Sequence, residues 1–299
     1  MTELALVVPV HNEIGNIEPF FERARTVLES LPVSWKIVFV NDGSSDGSLE
    51  RMLALHEQDE RVKIISLSRN FGYHAVLYAG LSLIEADRYA MIDVDCEDPP
   101  ELLRDFHAAL EHGADIAYGI RSNRDEPAPV TFFRRIFYYL NRSIADSEIV
   151  VWMSEFAMVT RQVRDIVLVP KTTYLFLRAE IAYAGFSRTG IAYRRAARTS
   201  GKTHYNVWNM SRFAVSGFLA GSTFPLRLIL YVAVVVAILF PLVAVLGGLG
   251  VSGATALASM ATLYFALFAL SLMAMYLART YKNGVARPLF IVDQGKTYL

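Results

Sequence analysis

The chain has 299 residues, enough for one large domain or two small ones. Its 29 Lys plus Arg balance 29 Asp plus Glu, so the charge marks neither a nucleic-acid binder nor an acidic tail. Hydrophobic residues make up 54%, high for a soluble protein, and the single cysteine, Cys96, excludes an intramolecular disulfide and a paired-cysteine metal site.

The first half alternates short apolar runs with helical patterns. LALVV predicts a strand, and a helix follows from about Gly15 to Ser30. Pro32 breaks it, and KIVFV is the second strand. Another helix starts after SSDGS, where Ser45 or Asp46 can act as N-cap. VKIISL is the third strand, YHAVLYAGLSLIEA a helix, and RYAMID the fourth strand. Pro99 and Pro100 suit the first turn of a helix reaching about His112, and DIAYG is the fifth strand. This rhythm predicts a mostly parallel sheet with helices on both faces. The first apolar run, LALVVPV, is too short and lacks the basic leader of a signal peptide.

Toward the C-terminus, no Asp, Glu, Lys or Arg lies between Arg227 and Arg279. That stretch accommodates two membrane-spanning helices, about Leu228 to Leu246 and Thr255 to Leu277, joined by the turn GGLGVSG. The turn contains a literal G-x-G-x-x-G, Gly248 to Gly253, but it follows an apolar helix rather than a strand, which rules out a dinucleotide site. Arg212 and Arg227 precede the spans and Arg279, Lys282 and Arg287 follow them, so the positive-inside rule places both termini in the cytoplasm. The expected organisation is an α/β domain over 1–225, a transmembrane hairpin over 226–278 and a cytoplasmic tail over 279–299. VTFFRRIFYYLNRSI and NVWNMSRFAVSGFLAG mix aromatic and basic residues on a helical period, which predicts interfacial helices near 130–147 and 206–222.

Polar residues cluster after every predicted strand: PVHNE, NDGSSD, SRNFG, DVDCED and GIR. In an open parallel sheet the carboxyl ends of the strands share one edge, and that edge binds ligands. Asp93, Asp95, Glu97, Asp98 and Glu101 crowd together after the fourth strand, where like charges repel unless a cation offsets them. Side chains two apart on a strand project to one side, so Asp93 and Asp95 form an oxygen pair suited to Mg²⁺ or Mn²⁺ carried in with substrate phosphates. Asp42, next to the flexible Gly43, can accept hydrogen bonds from a base or ribose. A solvated acidic loop and an Asx turn are the simpler readings of these two motifs.

Taken in order and spacing, VVPVHNE, VFVNDGSSDGS, SRNFGYHAVLYAGL and MIDVDCEDPPE resemble family 2 glycosyltransferases of the GT-A fold. Within them the chain is most similar to the polyprenyl-phosphate glycosyltransferases, which include dolichol-phosphate mannose synthases and bactoprenol glucosyltransferases. YGIRSNRDE, SEFAMVTRQV, FLRAEIAYAGF, RRAARTSGKTHY and the C-terminal hairpin extend the resemblance to nearly the whole chain. It implies a metal-dependent, inverting enzyme that transfers a sugar from a nucleotide-sugar to a polyprenyl phosphate such as undecaprenyl phosphate, at the cytoplasmic face of a bacterial inner membrane. Pro9, His11, Glu13, Asp42, Asn70 and Asp93 would bind the nucleotide-sugar, and Asp95, Asp93 and Glu97 the metal. Arg121, Arg134 and Arg135 would hold the lipid phosphate; Arg195, Arg198 and Lys202 would form a loop closing over the phosphates. Asp98 or Glu97 would be the base if one is needed, beside Asp93 and Asp95.

The chain departs from the family at His11, where Tyr is usual, at Glu97, where Gln is usual, and at Ala157 and Ala179 in segments that would line the sugar pocket. Oligomerisation is left open. The rival readings are a catalytically altered homologue that scaffolds a glycan-assembly complex and a membrane-bound relative with another acceptor. A processive polysaccharide synthase would carry Q-x-x-R-W and more spans, and a transporter would need a polar path through the membrane.

Overall fold

The computed structural model describes residues 2–122, 153–169, 176–195, 223–248 and 253–299. Seven strands form one sheet: β1 (Glu3–Val10), β2 (Ser34–Asn41), β3 (Val62–Ser66), β4 (Arg88–Met91), β5 (Ile116–Arg121), β6 (Met153–Thr160) and β7 (Arg188–Tyr193). Their spatial order is β3-β2-β1-β4-β6-β5-β7. β1 pairs in parallel with β2 and β4, β2 with β3, and β5 with β7. Only β6 runs against its neighbours β4 and β5, so β1 to β5 all point their carboxyl ends to one edge.

Strand β1 shows why the central strands read as unbroken apolar runs. Leu4, Leu6, Val8 and Val10 enter one core, and Ala5 and Val7 enter the other, because successive side chains take opposite faces. The first core is closed by α1 (Ile14–Glu29), α2 (Ser48–Gln58) and α4 (Leu103–Glu111), through Phe20, Met52 and Phe106. The second is closed by α3 (Tyr73–Leu83), α5 (Arg161–Val167) and α6 (Leu177–Tyr183), through Leu77, Val163 and Ile181. Helix α3 lies so close to the sheet that a Cβ on Gly80 would clash with Val7 Cγ1.

Two local details differ from the sequence expectation. The N-cap position of α2 is Gly47, in the left-handed region at φ +89°, and not Ser45 or Asp46. Asp46 acts one residue earlier instead: one carboxylate oxygen accepts from the Ser48 backbone and hydroxyl, the other from the Ile14 N–H that opens α1. The helix expected from Pro99 begins as a 3₁₀ turn, Pro100–Leu102, before α4.

The described residues divide into two compact units. One holds the sheet, its helices and residues 288–299; the other holds α7 (Phe224–Gly248) and α8 (Ala254–Val285). Both helices are long and apolar enough to cross a membrane, with mean hydropathies of 3.0 and 1.9 and 0% and 6% of their apolar windows buried. They are therefore not core helices of this chain. Helix α8 runs on past residue 278, where the hairpin was expected to end, through Thr280 and Lys282, until Ala286 ends it in the left-handed region. Residues 288–299, expected as part of a separate tail, return to the sheet unit. There they cover the free edge of β3 through isolated antiparallel bridges, Ile64 with Tyr298 and Leu67 with Val292. Ile64 exchanges both backbone hydrogen bonds with Tyr298, Asp293 N–H donates to the Ser66 carbonyl, and Ser68 N–H donates to the Ile291 carbonyl. An uncovered edge strand is a pairing hazard, and this segment satisfies it.

Candidate active site

The carboxyl ends of β1, β2 and β4, with the turn after β3, enclose an open pocket of about 340 Å³. Pro9, His11, Glu13, Asp42, Asn70, Asp93 and Asp95 all line it, together with Gly72 and Tyr73. The six residues expected to bind a nucleotide-sugar are thus brought together. Asp42 is buried and accepts from the backbone N–H groups of Phe71 at 2.7 Å and Gly72 at 3.0 Å. It shapes the pocket wall as well as lining it. Gly43 makes this approach possible: its φ is +65°, and a Cβ there would meet backbone atoms of Arg69 and Asn70 at 2.7 to 2.9 Å. His11 Nδ1 lies 2.9 Å from the Asp42 carbonyl, which can only accept, so Nδ1 carries the proton. Nε2 then accepts from the side-chain amides of Asn70, at 3.1 Å, and Asn12, at 3.3 Å.

The acidic run after β4 does not act as one cluster. Cys96 adopts a left-handed φ of +57°, and Asp95 accepts from the Glu97 N–H at 3.0 Å. This tight turn leaves Asp93 and Asp95 on the pocket and takes Glu97 and Asp98 out of its lining. Asp93 accepts from the Tyr73 hydroxyl at 2.8 Å. Burial pushes the Asp93 carboxyl up to about 7; the Tyr73 hydrogen bond opposes this, and Asp95, Asp98 and Glu155 add to it. Burial, then the Asp93 charge, likewise raises the Tyr73 phenol well above its ordinary value. Among the described residues no group of three or more His, Cys, Asp or Glu is arranged to hold a metal ion. The pair Asp93 and Asp95 nevertheless fits a cation that completes its shell with substrate phosphates, since two carboxylates face one pocket and Asp95 raises the Asp93 pKa.

Glu97 and Asp98 meet arginines instead. Arg195 Nη1 lies 2.7 Å from Glu97 Oε2, and its Nε lies 3.5 Å from Asp98 Oδ1. Asp98, whose side chain is 2% exposed, also accepts from Arg121 Nη2 at 2.9 Å and from the Tyr193 hydroxyl at 2.5 Å. Arg121 Nε donates to the Tyr193 oxygen at 3.1 Å. These contacts bear on two expectations about the acidic run. Glu97, expected among the metal ligands, is ion-paired with Arg195. Asp98, expected as a candidate base, has both oxygens occupied by donors. Sequence reasoning missed Tyr73 and Tyr193, because their partners are distant in the chain and carry no shared spacing. Glu155, in the SEFAMV segment, pairs with Arg178 at 3.3 Å. Arg134, Arg135, Arg198 and Lys202, and the interfacial helices expected near 130–147 and 206–222, lie outside the described residues.

The model of the family described as "Glycosyl transferase family 2" matches residues 5–168. The chain belongs to this family, and its sheet is that of the GT-A fold. An uncharacterized glycosyltransferase of Synechocystis sp. is 30% identical over 310 residues, covering 99% of this chain and 97% of that protein. A prophage bactoprenol glucosyl transferase homolog of Escherichia coli is 31% identical over 307 residues, covering 98% and 99%. The bactoprenol glucosyl transferase of Shigella phage SfV is 34% identical, covering 79% and 77%. Among solved structures, glucosyl-3-phosphoglycerate synthase from Mycobacterium tuberculosis, in complex with Mn²⁺, UDP-glucose and phosphoglyceric acid, superposes with a TM-score of 0.54. It is 16% identical, and the match covers 73% of this chain and 79% of that one, so the likeness is one of fold.

Proposed function

We propose that the protein transfers a sugar from a nucleotide-sugar to a polyprenyl phosphate, undecaprenyl phosphate in a bacterial membrane, with inversion at the anomeric carbon. The observation that carries this is the pocket itself: a nucleotide-sized cleft with Asp93 and Asp95 at one wall, in a chain similar to a prophage bactoprenol glucosyl transferase homolog over 99% of that protein's length. The two apolar helices supply the membrane location that a lipid acceptor needs.

The chemistry follows from charge. A phosphate monoester has a second pKa near 6 and is largely a dianion at neutral pH, so it attacks without a strong base. One of its oxygens bonds to the anomeric carbon as the bond from that carbon to the diphosphate breaks, and the electron pair leaves with the nucleoside diphosphate. Attack opposite the leaving group inverts the centre. Asp93 and Asp95 would hold Mg²⁺ or Mn²⁺, which when bound offsets the charge on the departing diphosphate. Arg121, at the end of β5, would orient the acceptor phosphate, which guanidinium geometry suits.

The test is transfer by the purified full chain, offered several nucleotide-sugars with undecaprenyl phosphate. A polyprenyl-monophosphate sugar of inverted configuration is the expected product. EDTA abolishes its formation and Mg²⁺ or Mn²⁺ restores it. Asp95→Asn lowers transfer by a hundredfold or more with an unchanged circular dichroism spectrum. Retained configuration, or a folded Asp95→Asn protein with normal activity, overturns this reading.

A further inference from the structure

We propose that Asp98 is a positioning residue for the acceptor phosphate, acting by fixing the orientation of Arg121 and Arg195. The proposal rests on the reading above that Arg121 meets a phosphate monoester. Asp98 follows β4, whereas Arg121 ends β5 and Tyr193 ends β7. Its carboxylate therefore ties the turn carrying Asp93 and Asp95 to the strands that carry the arginines.

The geometry at Arg121 is specific. Its Nε is taken by the Tyr193 oxygen and its Nη2 by Asp98 Oδ2. Those contacts use one side of the planar guanidinium. Among the described residues nothing accepts from Nη1, so the terminal Nη1–Nη2 edge is the one that faces a two-oxygen ligand. Tyr193 donates its own proton to Asp98 Oδ1, so the phenol oxygen accepts from Arg121 while its hydrogen is held elsewhere. Arg195 leans on the same Oδ1 and on Glu97. A carboxylate that takes three donors through two oxygens is engaged chiefly by the protein's own cationic and phenolic groups. Its effect is on where the cationic groups point. Asparagine at this position keeps the shape but replaces an acceptor oxygen with an N–H₂ that faces donors.

The test uses the full chain in detergent micelles with UDP-glucose, or whichever nucleotide-sugar the wild type uses, and undecaprenyl phosphate. Asp98→Asn is expected to raise the KM for the lipid phosphate by tenfold or more and to leave nucleotide-sugar affinity within about twofold. Tyr193→Phe, which removes one hydroxyl, is expected to shift the same KM by a smaller factor in the same direction, and it decides the matter if Asp98→Asn does not fold. Arg121→Ala serves as the reference. If Arg121→Ala raises the lipid KM and neither Asp98→Asn nor Tyr193→Phe does, the positioning role is overturned and the acceptor reading stands. If Arg121→Ala leaves the lipid KM unchanged, both fall. Equal losses for donor and acceptor in a folded Asp98 variant show a general structural role and also overturn the proposal.

Discussion

At the starts of α1 and α2, two backbone N–H groups, of Ile14 and Ser48, point at one carboxylate, Asp46. Burial raises the pKa of this group, but hydrogen bonds from the Ser48 hydroxyl and the two N–H groups outweigh it and hold it below the usual value. A depressed carboxylate stabilises the fold above its unfolded pKa, near 4, and loses that effect as pH falls through the folded value. Asp46→Ala should therefore lower stability at pH 7 by about 1 kcal/mol, since the group is solvent-screened, or a few degrees in Tm. The difference between mutant and wild type should shrink below about pH 4. Thermal unfolding at several pH values checks this, and a pH-independent difference would assign the loss to packing instead.

Helix α3 owes its place to a missing side chain. Ala75 to Leu81 are all buried, and Gly80 sits where a methyl group would strike Val7 Cγ1 and approach Val40. Glycine inside a helix costs roughly 0.5–1 kcal/mol relative to alanine, so its presence is a packing requirement, not a helix preference. Gly80→Ala should destabilise by about 1–3 kcal/mol through overpacking. Adding Val7→Ala should recover part of that loss, because the clash lies between those two positions. A double mutant that is simply additive would contradict the contact. The position of α3 matters to the site because its first residue, Tyr73, donates to Asp93.

Across the whole molecule, residues 288–299 link two regions that lie far apart in the chain. Ser68, held by the Ile291 carbonyl, is two residues from Asn70 on the pocket wall. A chain ending near Ser222, close to the end of the domain expected over 1–225, would lose this segment along with the apolar helices. It should show an exposed β3 edge, a lower Tm and weaker nucleotide-sugar binding. A peptide of sequence PLFIVDQGKTYL added in trans should restore part of both. Calorimetry on the shortened chain with and without the peptide is the measurement. No response to the peptide, with donor binding already at the full-length value, would show that the edge cover is dispensable.

The sequence by itself determined the alternation of strands and helices, the shared edge of polar clusters and the two apolar helices. Each of these is written in a local period: two for strands, 3.6 for helices, and length for the apolar spans. It also placed Pro9, His11, Asp42, Asn70 and Asp93 on one edge, because all lie at or shortly after strand ends that a parallel sheet must align. Only the tertiary structure decided what those residues bond to. DVDCED reads as one acidic run, yet the left-handed turn at Cys96 gives Asp93 and Asp95 to the pocket, Glu97 to Arg195, and Asp98 to Arg121 and Tyr193. The return of residues 288–299 to β3 was equally hidden. Ion pairs, buried hydroxyl contacts and edge pairing join residues 23 to more than 200 positions apart, with no periodicity to announce them. They depend on which surfaces the packed sheet leaves adjacent.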